Sequence, residues 1–160
     1  MKRFLIPLVS SLLLFSCGEE KTILHTGNSG ADFETAMLGN KFTIFYYIDS
    51  TDCDPCAMQW LFRWIYFEEE LKKLNTGVVL IVRSSNKEVI YETMEQMRLD
   101  FPVVFDKAST IKQNNAAILE QHPVFAVNNK KEVIWLGLPI ADEDTWNKFC
   151  KTLRQKSKRN

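Results

Sequence analysis

Phe42-Thr43-Ile44-Phe45-Tyr46-Tyr47-Ile48-Asp49-Ser50-Thr51-Asp52-Cys53-Asp54-Pro55-Cys56 carries the chain from an apolar run into a pair of cysteines. Phe42 to Ile48 has the length and the unbroken apolar character of a strand covered on both faces. Beyond the cysteines, Trp60, Trp64, Phe67, Leu71 and Leu74 recur at helical spacing, and Ala57 and Leu61 widen the same face. The segment from Asp54 to about Leu74 therefore reads as a helix whose aromatic stripe packs into a core. The two cysteines stand at a strand-to-helix junction, a place where redox chemistry can happen.

The rest of the chain alternates in the same way. Asp32 to Leu38 suggests a turn or two of helix. Val78 to Val82 reads as a second buried strand. Ser85 with Glu88 has capping-box spacing and opens a helix to about Leu99, with Val89, Ile90, Thr93, Met94 and Met97 on one side. Val103 to Phe105 is a short strand, and Thr110 to Leu119 is weakly helical. Gln121-His122-Pro123 precedes a hairpin, Val124 to Val127 and Val133 to Leu136 around the polar turn Asn128 to Lys131. A last helix begins near Asp142 with Trp146, Phe149, Cys150 and Leu153 on its apolar face. Cys150 is thereby a core thiol. Strands alternating with helices predict an α/β fold, with a central mixed sheet covered on both faces and an antiparallel edge from the hairpin.

The chain has 160 residues, enough for one domain with a substantial core. Twenty basic and twenty acidic side chains cancel, which gives no reason to expect a nucleic-acid partner. The four cysteines are Cys17, Cys53, Cys56 and Cys150; one Cys-x-x-Cys pair does not make a four-ligand zinc site, and no metal is expected.

Lys2 and Arg3 precede an apolar run, Phe4 to Phe15, that is shorter than the roughly 20 residues a spanning helix needs. It ends in Leu14-Phe15-Ser16-Cys17, which resembles the lipobox of bacterial lipoproteins. That resemblance implies a signal peptide over residues 1–16, acylation (palmitate) of Cys17, and a protein of the bacterial cell envelope, lipid-anchored and facing the periplasm. Residues 17–31, with Glu19, Glu20 and Gly27-Asn28-Ser29-Gly30, read as a tether in which Ile23 and Leu24 can add a short edge strand. The two acids behind Cys17 are similar to surface-export signals and equally suit a solvated linker. The folded domain is expected over 32–156, and 157–160 as a basic tail.

An exported Cys-x-Pro-Cys at a strand-to-helix junction, with a later X-Pro step, a hairpin and a final helix, resembles the thioredoxin fold. In particular it is similar to the membrane-tethered thiol–disulfide oxidoreductases of the ResA/TlpA type. An extra strand–helix unit before His122-Pro123 fits that subgroup. The resemblance implies that Cys53 attacks and Cys56 resolves, with no cofactor beyond the redox-active Cys53–Cys56 disulfide. Pro55 stiffens the first helical turn. His122-Pro123 corresponds to the family's cis-proline step, whose backbone pairs with substrate. The partners implied are protein thiols or disulfides, with a membrane thiol reductase as electron donor, and the protein is expected to be a monomer.

The chain departs from that pattern in its neighbours. Asp52 replaces the tryptophan that commonly precedes the first cysteine. Tyr47 stands where thioredoxin has a buried acid, and Gln59 where the tethered reductases have a glutamate. Asp49, Asp52 or a water remain as proton acceptors. A helix N-terminus favours the thiolate, Asp52 and Asp54 oppose it, and a protonated His122 nearby would favour it. The balance predicts a reductant or near-balanced exchanger rather than a strong oxidase. Two other readings compete. In a peroxiredoxin-like peroxidase, Ser50 would match Thr/Ser-x-x-Cys, although Tyr46 replaces the upstream proline. The other is a non-catalytic binding lipoprotein in which the disulfide only staples a loop.

Overall fold

The computed structural model describes residues 21–27, 30–49, 61–84 and 87–158. Its centre is a five-stranded mixed sheet: β1 (Phe42–Asp49), β2 (Thr76–Arg83), β3 (Val103–Phe105), β4 (Val124–Asn128) and β5 (Val133–Leu136), in the order β3-β2-β1-β4-β5. β1 runs parallel to β2 from Phe42 opposite Thr76 to Asp49 opposite Arg83, and β2 runs parallel to β3. β4 lies antiparallel to β1, with Tyr46 opposite Val124, and β5 antiparallel to β4. The expected mixed sheet with an antiparallel hairpin edge is the one observed.

β1 is buried along its whole length, as its uninterrupted apolar run requires. Alternation along it feeds two cores. Phe42, Ile44, Tyr46 and Ile48 face one side, against α2 (Leu61–Ile65), α3 (Glu68–Lys73), α4 (Lys87–Gln96) and α7 (Glu143–Lys158). Phe45 and Tyr47 face the other, with Phe33 and Met37 of α1 (Gly30–Met37), Ile111 of α5 (Thr110–Asn114), and Ile118 and Leu119 of α6 (Ala116–Leu119).

The helices follow their predicted faces with informative exceptions. Leu61, Trp64 and Leu71 are buried and Phe67 is half-buried, so the described part of the aromatic stripe is core, while Ala57 and Trp60 lie outside the described residues. The helix is nonetheless broken. At Tyr66 and Phe67 the amides bond to Arg63 and Trp64, a tighter turn, and the Phe67 ring lies 4.5 Å from the Trp146 ring of α7. In α4, Ile90 and Met94 are buried, whereas Val89, expected inward, is exposed. α4 stops at Gln96, and Arg98 takes a left-handed conformation, so the helix ends short of Leu99. α7 starts as expected: the Asp142 carboxylate accepts the Thr145 amide at 2.7 Å. Trp146, Phe149, Cys150 and Leu153 are its buried face.

Described residues on either side of 32–156 also contact the domain. Leu24 is only 2% exposed, and the His25 amide donates to Asn115 Oδ1 at 2.9 Å, so packing reaches back well before residue 32. The expected edge pairing of Ile23 is present, as a bridge to Glu132. At the other end α7 continues to Lys158, and Lys41 Nζ donates to the Ser157 carbonyl at 2.9 Å. Of the expected basic tail, residues 157 and 158 belong to the last turn of α7, where cations suit the exposed carbonyls, and 159–160 lie outside the described residues.

Candidate functional site

Parallel strands align their C-terminal ends, so β1, β2 and β3 deliver Asp49, Arg83 and Asp106 to one edge of the sheet. β1 feeds the segment that carries the cysteines from this edge. Cys53, Cys56, Asp52, Asp54 and Pro55 lie outside the described residues, as does Cys17.

Asp49 does not stand open as a proton acceptor. Its Oδ1 accepts from Arg83 Nη1 at 3.0 Å, and its Oδ2 accepts from Lys112 Nζ at 2.7 Å, with the aspartate side chain 10% exposed. The pairs tie the last residue of β1 to β2 and to α5.

Tyr47 occupies the position read as a missing buried acid, and an acid is supplied to it from elsewhere. The Tyr47 hydroxyl donates to Asp106 Oδ2 at 3.0 Å in the interior. Asp106 is 2% exposed and also accepts the amides of Ile111 and Lys112, both at 3.1 Å. Three donors compensate the burial of its charge. Burial holds the Tyr47 phenol well above its ordinary range, and the Asp106 carboxylate pushes it further the same way. The phenol is therefore a fixed donor.

The His122-Pro123 step arrives at the same edge. The Pro123 carbonyl accepts the Tyr47 amide at 2.7 Å, which lays the step beside the end of β1. The His122 amide donates to the Ile118 carbonyl at 2.8 Å, closing α6. The imidazole packs against Gly137, where an added Cβ would sit 3.9 Å from Nδ1. Two expectations change here. No cis peptide bond occurs among the described residues, so the bond before Pro123 is trans, the form an X-Pro bond favours by about 0.5–1 kcal/mol. The His122 amide is also occupied within the domain, which leaves a substrate backbone no donor from it.

Sequence reading missed the Tyr47–Asp106 and Arg83–Asp49–Lys112 contacts as units. A signal was present: Asp49, Arg83 and Asp106 each follow directly on the apolar run of a strand. Among the described residues no cluster of three or more His, Cys, Asp or Glu could hold a metal ion. No helix among them is long and apolar enough to cross a membrane.

No protein-family profile matches this sequence, and no curated protein does. Solved structures do match it in shape. One is the thioredoxin domain of a thiol-disulfide oxidoreductase from Bacteroides vulgatus, at TM-score 0.55 and 12% identity, covering 72% of this chain and 81% of that one. A Chlorobium tepidum protein assigned as a thiol:disulfide interchange protein matches at TM-score 0.52 and 17% identity, covering 83% of this chain and 93% of that one. A hypothetical protein from Sinorhizobium meliloti matches at 0.51 and 13%, covering 77% and 69%. The fold of this chain is thioredoxin-like.

Proposed function

We propose that this chain is a membrane-anchored thiol–disulfide oxidoreductase of the cell envelope whose working group is the Cys53–Cys56 pair. The observation that carries the reading is the course of β1. The central strand of a thioredoxin-like sheet ends at Asp49, four residues before Cys53, with the His122-Pro123 step hydrogen-bonded beside it. Covalent geometry alone keeps Cys53 within roughly 14 Å of Asp49.

The chemistry follows from the pair. The Cys53 thiolate attacks a sulfur of a substrate disulfide, and the other substrate sulfur leaves as a thiolate. Cys56 then attacks Cys53 in the mixed disulfide, releasing the reduced substrate and leaving the Cys53–Cys56 disulfide. Two electrons pass to the substrate, and a membrane thiol reductase returns them. Asp52 and Asp54 oppose the thiolate, so the reduced form is little favoured by charge and the pair runs as a reductant or balanced exchanger. Acylation of Cys17 holds the protein, a monomer, at the membrane.

Insulin reduction coupled to a thiol donor tests this reading. Wild-type protein precipitates the insulin B chain, Cys53→Ser does not, and Cys56→Ser accumulates mixed disulfides with envelope proteins. Undiminished turnover by Cys53→Ser would remove the proposal.

A further inference from the structure

A cavity of about 350 Å³ opens at the end of the sheet opposite Asp49. Thr76 and Val78, at the start of β2, line it, roughly 20 Å along the strand from Arg83. The volume lies within the range of about 300–1,000 Å³ usual for small-molecule sites. Main-chain bonds hold its walls. The Leu80 amide donates to the Pro102 carbonyl at 2.9 Å, and the Leu99 amide donates to the Met94 carbonyl at 2.9 Å. Together they fix the segment that turns from α4, through the left-handed Arg98, into β3. On the other side, the Asn40 side-chain amide sits on Gly77, in the space that a β-carbon there would take. The space is therefore built into the backbone.

One wall carries an unanswered donor. Trp64 of α2 is 1% exposed and lines the cavity, and its Nε1 is buried with no hydrogen-bond partner among the described residues. An indole nitrogen only donates, and a buried donor without an acceptor costs free energy that one acceptor recovers. The surfaces around it are largely apolar, with Leu71 and Leu99 buried and the Phe101 ring beside them. Two aromatic rings in one wall favour a flat aryl guest. Among the described residues that line the cavity, the charges balance. Lys72 pairs with Glu68 at 2.7 Å, and Arg98 and Asp100 add one charge of each sign. Such a rim selects neither an anion nor a cation.

We propose that this cavity is a binding site for a small, uncharged aryl carbonyl compound, whose ring packs on the apolar wall and whose carbonyl oxygen accepts the Trp64 Nε1 hydrogen. The site is separate from the cysteine edge and does not depend on the exchange chemistry proposed there.

Two probes of nearly equal shape test it: 2-acetylnaphthalene, which carries the acceptor, and 2-ethylnaphthalene, which lacks it. The full chain, labelled with ¹⁵N at its indoles and held in a mild detergent, is titrated with each, the free probe concentrations being fixed by dialysis. The Trp64 Nε1–H resonance is assigned by its loss in Trp64→Phe. 2-Acetylnaphthalene is expected to move that resonance downfield, saturably, and to bind about tenfold tighter than 2-ethylnaphthalene. Trp64→Phe keeps an aromatic wall without the donor and is expected to bind both probes equally. Ile65→Trp, at a position on the lip that is 43% exposed, is expected to block both probes while leaving the urea midpoint unchanged. No binding by the wild type, equal affinities for the two probes, a Trp64 resonance that stays in place, a carbonyl preference that survives Trp64→Phe, or full binding by Ile65→Trp each overturns the proposal.

Discussion

The Tyr47 hydroxyl and the Asp106 carboxylate meet at 3.0 Å beneath the edge from which β1 runs on toward the cysteines, the phenol donating to an acid that also caps α5. A strand residue and a loop residue 59 positions apart thereby share one buried polar contact. Removing the hydroxyl in Tyr47→Phe leaves Asp106 with its two amide donors and is expected to lower stability by about 1–2 kcal/mol. Asp106→Ala removes the acceptor for three donors and is expected to do more damage. Urea unfolding of the two variants checks the order.

The same contact has a pH signature. The Tyr47 phenol in the folded protein holds its proton above the ordinary value of 10.0 that the unfolded chain restores. A group whose folded value is raised contributes stability that is complete below the unfolded value. That contribution is lost as pH climbs through 10 toward the folded value. Wild-type stability should fall above pH 10 more steeply than that of Tyr47→Phe. Alkaline titration at 295 nm should show one tyrosine that ionises only on unfolding.

The Arg83–Asp49–Lys112 contact predicts opposite signs at Cys53. Asp49→Asn leaves two cations uncompensated and should lower the pH at which Cys53 becomes alkylable. Lys112→Met leaves Asp49 with one cation and should raise it. At the covalent limit of roughly 14 Å from Asp49 a unit charge shifts a thiol by a few tenths of a unit in a water-like medium, growing toward a full unit as the effective dielectric falls to 20. Iodoacetamide rates against pH measure both. Shifts of the same sign would show that these residues act on the cysteines through structure alone.

Gly137 has a φ of 92°, a region that a β-carbon disfavours, and it lies against the His122 imidazole. Gly137→Ala should destabilise the protein by about 1–2 kcal/mol. Gly39 has a φ of 82° with nothing within 4 Å of an added Cβ, so Gly39→Ala carries the backbone strain without the contact. If the His122 contact matters for exchange, only the Gly137 variant will slow insulin reduction.

Cys150 is buried, and burial pushes its thiol up from the ordinary value. It should resist iodoacetamide in the folded protein at pH 8 and react once urea unfolds the chain. Mass spectrometry of the alkylated protein, with and without urea, counts it.

Much of this architecture was readable in the sequence because burial leaves a periodic trace. The unbroken run Phe42 to Ile48 announced a central strand, and Trp146, Phe149, Cys150 and Leu153 announced one helix face. Val89 misled because an apolar residue beside a buried one satisfies helical spacing without being buried itself. The break at Tyr66 leaves no trace in the helical spacing, and the Phe67–Trp146 ring contact beside it joins positions far apart in the chain. The short edge strand that Ile23 and Leu24 suggest within the tether is there as two backbone hydrogen bonds beside a buried Leu24. At the site, the sequence places Tyr47 where a buried acid is expected. The acid comes from Asp106, the residue just past β3, two strands over from β1, a relation that only the sheet order reveals.

The strand-end bridge of Ile23 to Glu132 has one more effect. An open sheet has two borders whose unpaired amides and carbonyls invite another chain to add on. Here one border is β3, three residues long, and the other is β5, whose first residue is already paired by Thr22. Among the described residues, only Ile134 to Leu136 of β5 and the three residues of β3 are left for a second copy to extend. Proteins crowded on a common surface can then stand side by side without stacking into fibrils.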